Sequence, residues 1–255
     1  MRGLAIGDGV RTQKAFDGNR APDPGSLACS QASTGGTFAF RRRFFVSGRA
    51  SPAAICVFGK FMLAGASNVS TQVGHSFSGL RERLREATSA AHRDLDAQLS
   101  GFDLTSPAGY RRFLQASAAA LLPLEAALVA AGVERIFPDW LERSRSAAIV
   151  ADLWCLGSSV PRTVPVPPLT RSGVLGTMYV LEGSRLGAKF LLKSVTDAAD
   201  PRLSGATGYL GHGAGKRLWQ SFLTKLATEE PRDGDEVIVA ARTAFAAFER
   251  AAERA

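Results

Sequence analysis

The sequence is poor in the residues that tie chains together covalently or through metals. Only three cysteines, Cys29, Cys56 and Cys155, are spread over 255 residues. Their number is odd, their spacing wide, and no CxxC or Cys/His cluster occurs, so neither a disulfide framework nor a zinc site is expected. A reducing, cytoplasmic compartment fits this usage. Histidine is equally scarce, at three. No run approaches the ~18 apolar residues of a membrane span. The nearest, Phe44 to Ala66, is broken by Arg49, Pro52 and Lys60. Strand-like alternation of useful length is missing too, as is any internal repeat. Tyr209 to Lys216 is rich in glycine but fails the phosphate-loop spacing, and Arg217 stands where Ser or Thr is needed. Gly183-Ser184 lacks the GxSxG spacing of a serine hydrolase.

Acidic residues are nearly absent from the first third. Residues 1–75 hold nine Lys or Arg, three Asp and no Glu, whereas residues 76–255 carry a net charge of only +2 out of the total of +8. The basic character therefore belongs to the N-terminal segment, and nucleic-acid binding is not expected of the remainder. Residues 1–75 are rich in Gly, Ser and Ala and lack periodic apolar faces. They read as a poorly ordered extension, or as sequence upstream of a true start at Met62. A domain over residues 76–255 follows.

That domain is helical in pattern almost throughout. Helices are predicted over about 78–100, 106–132, 143–156, 171–198, 216–228 and 233 to the C-terminus, with a short piece around Trp140. Ser106 and Pro107 supply an N-cap and first residue for the second helix, in which Pro123 predicts a kink. Loops are expected at 157–168 and 201–215. The fold class is all-α, a single compact domain of about seven helices.

The helix over 171–198 carries three interior glycines, Gly176, Gly183 and Gly187. Each costs roughly 1 kcal/mol against alanine. Such a cost is accepted where a backbone must approach another helix or a flat ligand. Gly183, Gly187 and Tyr179 share a face. His92, in the first helix, lies beside the apolar face. It is either a boundary histidine satisfied by a hydrogen bond or a ligand for a metal. No second His, Cys or carboxylate pattern closes a protein-only site around it, so a lone ligand makes sense only where the metal brings its own, as in haem. Lys189, Lys193, Lys216 and Arg217 read as solvated surface, or as partners for an anionic ligand's carboxylates.

Two motifs together resemble the haem oxygenase family in its bacterial, phytochrome-associated form. Leu84-Arg85-Glu86-Ala87-Thr88-Ser89-Ala90-Ala91-His92 resembles the proximal helix. Tyr179-Val180-Leu181-Glu182-Gly183-Ser184-Arg185-Leu186-Gly187-Ala188 resembles the distal helix, about ninety residues on. The resemblance implies His92 as the axial iron ligand, and Gly183 and Gly187 as the bend over the haem face. Tyr179, Lys189 and Lys193 would be further haem contacts. Ser184 stands where animal members carry Asp, and Ala188 where many members have a third glycine. The implied reaction takes haem, as both cofactor and substrate, with dioxygen and reducing equivalents to biliverdin, carbon monoxide and ferrous iron. An electron donor such as a ferredoxin or flavin reductase is implied, and a phytochrome as a receiver of biliverdin. The alternatives are a non-catalytic haem-binding or trafficking protein of the same fold, and a thiaminase-like hydrolase using Cys155.

Overall fold

The computed structural model describes residues 77–229 and 233–255. The expectations for residues 1–75, Met62 included, lie outside them. Among the described residues there are nine α-helices and no strand. They are α1 (Phe77–Leu99), α2 (Pro107–Ala130), α3 (Trp140–Arg143), α4 (Ser146–Cys155), α5 (Arg171–Asp197), α6 (Pro201–Ser204), α7 (Gly208–Gly211), α8 (Leu218–Thr228) and α9 (Gly234–Glu253). A 3-10 turn covers Val133–Arg135.

The long helices begin where capping chemistry places them. Ser106 accepts from the Gly109 N–H at 3.1 Å with Pro107 at the first position. Thr170 accepts from Gly173 N at 3.0 Å. Asp233 accepts from Asp235 N and Glu236 N at 2.9 and 3.2 Å. Each side-chain oxygen satisfies an N–H that the helix cannot. Helix α2 is continuous through Pro123. It is also long and apolar enough to cross a membrane, which the run-length reading missed. Tyr110, Phe113, Leu114, Leu121, Leu124 and Leu128 are all buried in the core, so its apolarity serves packing.

The two extra helices, α6 and α7, fall in the segment read as a loop. Asp200 caps α6 through Arg202 N at 2.9 Å, and Pro201 opens it. Helix α7 owes its start to Asp152 of α4, which accepts from Gly208 N at 3.0 Å and Tyr209 N at 2.7 Å.

The C-terminal helix organises the bundle. Helix α9 packs on α5, α1 and α2. Its crossing with α5 depends on Gly176, where a Cβ would fall 2.1 Å from the Val237 carbonyl oxygen and 2.9 Å from Ala240 Cβ. One of the three glycines in α5 therefore serves helix–helix contact. By packing on both α1 and α5, α9 ties together the two helices that carry the motifs.

Candidate functional site

A cleft open at its mouth, enclosing about 670 Å³ when the solvent at that mouth is counted, lies among α1, α2, α5, α7 and α9. Helix α1 contributes His92, Leu95, Asp96 and Leu99, which recur at helical steps on one face. Helix α5 contributes Val180, Ser184, Ala188 and Leu191. Phe245 and Phe248 come from α9, Phe113 and Ser117 from α2, and Tyr209 and Leu210 from α7. Arg145, just before α4, completes the wall. The lining is aromatic and aliphatic with few polar groups, as in small-molecule sites.

His92 is held from two sides. Its Nδ1 lies 3.1 Å from Asp96 Oδ2, one turn along α1. Its ring lies 5.7 Å from that of Phe245, tilted by 60°. A carboxylate at Nδ1 fixes the imidazole's orientation and directs metal binding to Nε2. No group of three or more His, Cys, Asp or Glu suited to a metal ion exists among the described residues. A metal taken by His92 must therefore bring its remaining ligands, and the apolar cleft suits a planar macrocycle that does so. The residues present thus fit haem.

On the α5 side, Ser184 donates to Leu181 O at 2.8 Å and accepts from Arg145 Nη2 at 3.1 Å. Arg145 Nη2 also donates to Leu181 O at 3.0 Å. The guanidinium lies 5.1 Å from the centre of the Tyr209 ring. Two buried carboxylates set this wall by gripping backbone. Glu125 accepts from Arg145 N at 2.8 Å and Ser146 N at 3.0 Å, and from the hydroxyls of Ser144 and Ser146 at 2.5 and 2.6 Å. Asp152 fixes the peptide of Tyr209, as described for α7. Burial raises the Asp152 carboxyl above its ordinary range, and the two N–H bonds work against that rise.

A second charged cluster stands behind α5. Arg143 lies 3.2 Å from Glu182 and 2.8 Å from Asp139, and Arg185 lies 3.0 Å from Glu182. Arg185 Nη1 also meets Nδ1 and the carbonyl oxygen of His212, each at 3.2 Å. Burial, then Arg145, lowers the Arg185 guanidinium's affinity for its proton. Burial, then Arg185, lowers that of His212.

The structure brings His92, Ser184 and Ala188 to one cleft. Gly183 and Gly187 are buried on the neighbouring stripe of α5, one residue round from the lining positions. Tyr179 is buried outside the lining, with its ring 5.7 Å from that of Trp219. Lys189 is exposed with its Nζ over the Phe190 ring, and Lys193 is exposed and paired with Asp197 at 2.7 Å. Neither lysine lines the cleft. Arg145, Asp96, Tyr209 and Phe245 are residues that the sequence reading did not single out. Lone acids in apolar runs, Glu125 after Leu124 and Glu182 after Leu181, were the available signal. Such groups are buried only when donors meet them.

Similar proteins point the same way. No protein-family model matches the chain. The curated protein "Heme oxygenase PigA" of Pseudomonas aeruginosa is 31% identical over 175 residues, 66% of this chain and 87% of that protein. A heme oxygenase of Xanthomonas campestris pv. campestris is 30% identical over 131 residues, 46% of this chain and 78% of that one. The heme oxygenase of Neisseria meningitidis, solved in NO- and CO-bound forms, shares the fold. Its TM-score is 0.61 at 24% identity, over 71% of this chain and 92% of that one. The chain belongs to the haem oxygenase family.

Proposed function

We propose that this chain degrades haem, using dioxygen and reducing equivalents to give biliverdin, carbon monoxide and ferrous iron. The observation that carries the reading is the convergence of His92 and Ser184, from two motifs some ninety residues apart, on one largely apolar cleft. Bound haem supplies the redox chemistry that activates oxygen. The chain's own residues supply the rest. His92 Nε2 would hold the iron, with Asp96 at Nδ1 fixing the ring's orientation. Leu95, Leu99, Phe245 and Phe248 would exclude water from around a bound macrocycle. Ser184 and Arg145 are the polar groups of the α5 side, and they take the part of water-organising groups. Gly183 and Gly187 let α5 bend beside the cleft. Lys189 and Lys193 remain the proposed partners for peripheral carboxylates at its rim. The electron donor is of the ferredoxin or flavin-reductase kind. The Tyr179–Ala188 motif supports the phytochrome-associated form, with biliverdin passing to a photoreceptor.

The deciding experiment is aerobic incubation with haem and a reductant, followed by absorption spectra and pigment separation. Loss of the Soret band with appearance of biliverdin is expected. Haem that binds yet survives would show a non-catalytic haem carrier instead.

A further inference from the structure

Arg145 combines two properties that a purely structural arginine does not. It is only 2% exposed, and no carboxylate pairs with its guanidinium among the described residues. Its buried neighbours differ: Arg143 has Glu182 and Asp139, and Arg185 has Glu182. Glu125 touches Arg145 only at the backbone N–H, and its oxygens are otherwise taken by Ser144 and Ser146. The guanidinium's own bonds run from Nη2 to a carbonyl and a hydroxyl, both neutral. Its Nε is buried without any partner. A desolvated cation normally gains a counter-charge, because the alternative is costly. Arg145 helps to form the wall of the cleft, which is where a counter-charge can approach.

We infer that this wall is a binding site for a small monovalent anion, a carboxylate or a group of azide size, held by the Arg145 guanidinium with Ser184 beside it. The fork of a guanidinium matches a carboxylate in two parallel bonds. The Tyr209 ring on one side and the Ser184 hydroxyl on another fix the plane of the fork. The apolar lining strengthens the attraction by excluding water. The site goes beyond the haem reading, since it requires only the polypeptide. The anion is either free or the carboxylate of a larger ligand occupying the cleft.

The test uses the ligand-free full chain. Thermal unfolding is followed in sodium formate or sodium azide, against sodium chloride at equal ionic strength. The melting temperature should rise by several degrees with formate, logarithmically in its concentration above saturation of half the sites. Arg145→Met should abolish the formate-specific rise, and Arg145→Lys should weaken it, because an ammonium lacks the fork. Should Arg145→Met fail to fold, the wild-type arginine side-chain NMR spectrum provides the same answer. The Arg145 Nε–H signal should shift saturably with formate. Chloride acting as well as formate, an Arg145→Met variant responding like wild type, or an unmoved Nε–H signal would each overturn the proposal. Repeating the titration with haem present separates the sources. A retained response assigns the site to a free anion, and a lost response to a carboxylate of the bound ligand. Failure of haem to bind would count against the haem reading alone and leave the ligand-free result standing.

Discussion

At the scale of single residues, the two walls of the cleft differed in how much the sequence disclosed. His92 was legible because it is the only histidine within a long predicted helix and lies beside that helix's apolar face. Its partner Asp96 sits one turn away, so the pair is local. Arg145 was not legible. It sits in a run of Ser and Arg that looks like surface, and its burial depends on Glu125 and Leu181, which are distant in sequence. His92→Ala should abolish oxygen-dependent turnover while the helical fold survives. Ferric and ferrous-CO spectra together with circular dichroism check this, and unchanged spectra with unchanged activity would remove His92 from its role. Asp96→Asn keeps the shape of the partner but weakens its pull on the imidazole. Haem affinity or activity should fall by about 10–100-fold, the usual effect of losing a carboxylate behind a metal-binding histidine. A haem titration measures it, and an unchanged dissociation constant and rate would show that Asp96 only packs.

At the scale of the element, α5 shows how one helix divides its small residues among tasks. The sequence posed the choice for its glycines as helix contact or ligand contact. The structure gives helix contact for Gly176, where α9 passes, and places the cleft from one turn further on, along Val180, Ser184 and Ala188. The period of 3.6 could not reveal which stripe faces α9, because both stripes hold small residues and only the partner helix distinguishes them. Two substitutions should separate the tasks. Gly176→Ala places a methyl group against backbone and should destabilise the protein by about 1–3 kcal/mol through overpacking, less a helix-propensity gain of up to about 1 kcal/mol. Ala188→Leu should do the opposite, leaving the ligand-free melting temperature near wild type while narrowing the cleft and weakening haem binding. The paired measurement is ligand-free melting temperature and haem affinity for both variants. An Ala188→Leu protein that binds haem normally would mean that the cleft admits haem along another face.

At the scale of the molecule, the fold class and the long helices were legible from periodicity and caps, whereas the charged interior was not. Glu125 holds the start of α4, Asp152 the start of α7, and Glu182 holds Arg143 of α3, which in turn donates to Leu218 O at the start of α8; each carboxylate acts across tens of residues. Such contacts leave no periodic trace. They do leave a pH dependence. His212 sits against Arg185 of α5, with Arg145 before α4, Glu125 of α2 and Lys216 of its own loop around it. Burial and the Arg185 charge hold its proton affinity below the ordinary value near 6.5. The unfolded chain therefore takes that proton first, and the stability linked to neutral His212 is complete above about pH 6.5 and declines as pH falls beneath it. Asp103 and Glu229 have carboxyls lowered chiefly by side-chain hydrogen bonds, from Thr105 and Lys225, so their contribution is lost at more acidic pH. The raised Asp152 works in the opposite sense, and its protonation on acidification relieves a cost of burial. Acid unfolding should accordingly show two limbs. In His212→Gln the amide can still accept from Arg185 but cannot titrate, so the upper limb, which sets in below about pH 6.5, should flatten while the lower one stays. Melting temperatures of wild type and variant across pH 4 to 8 decide the matter. Parallel curves over the whole range would show that the contact between His212 and Arg185 does not govern the acid response.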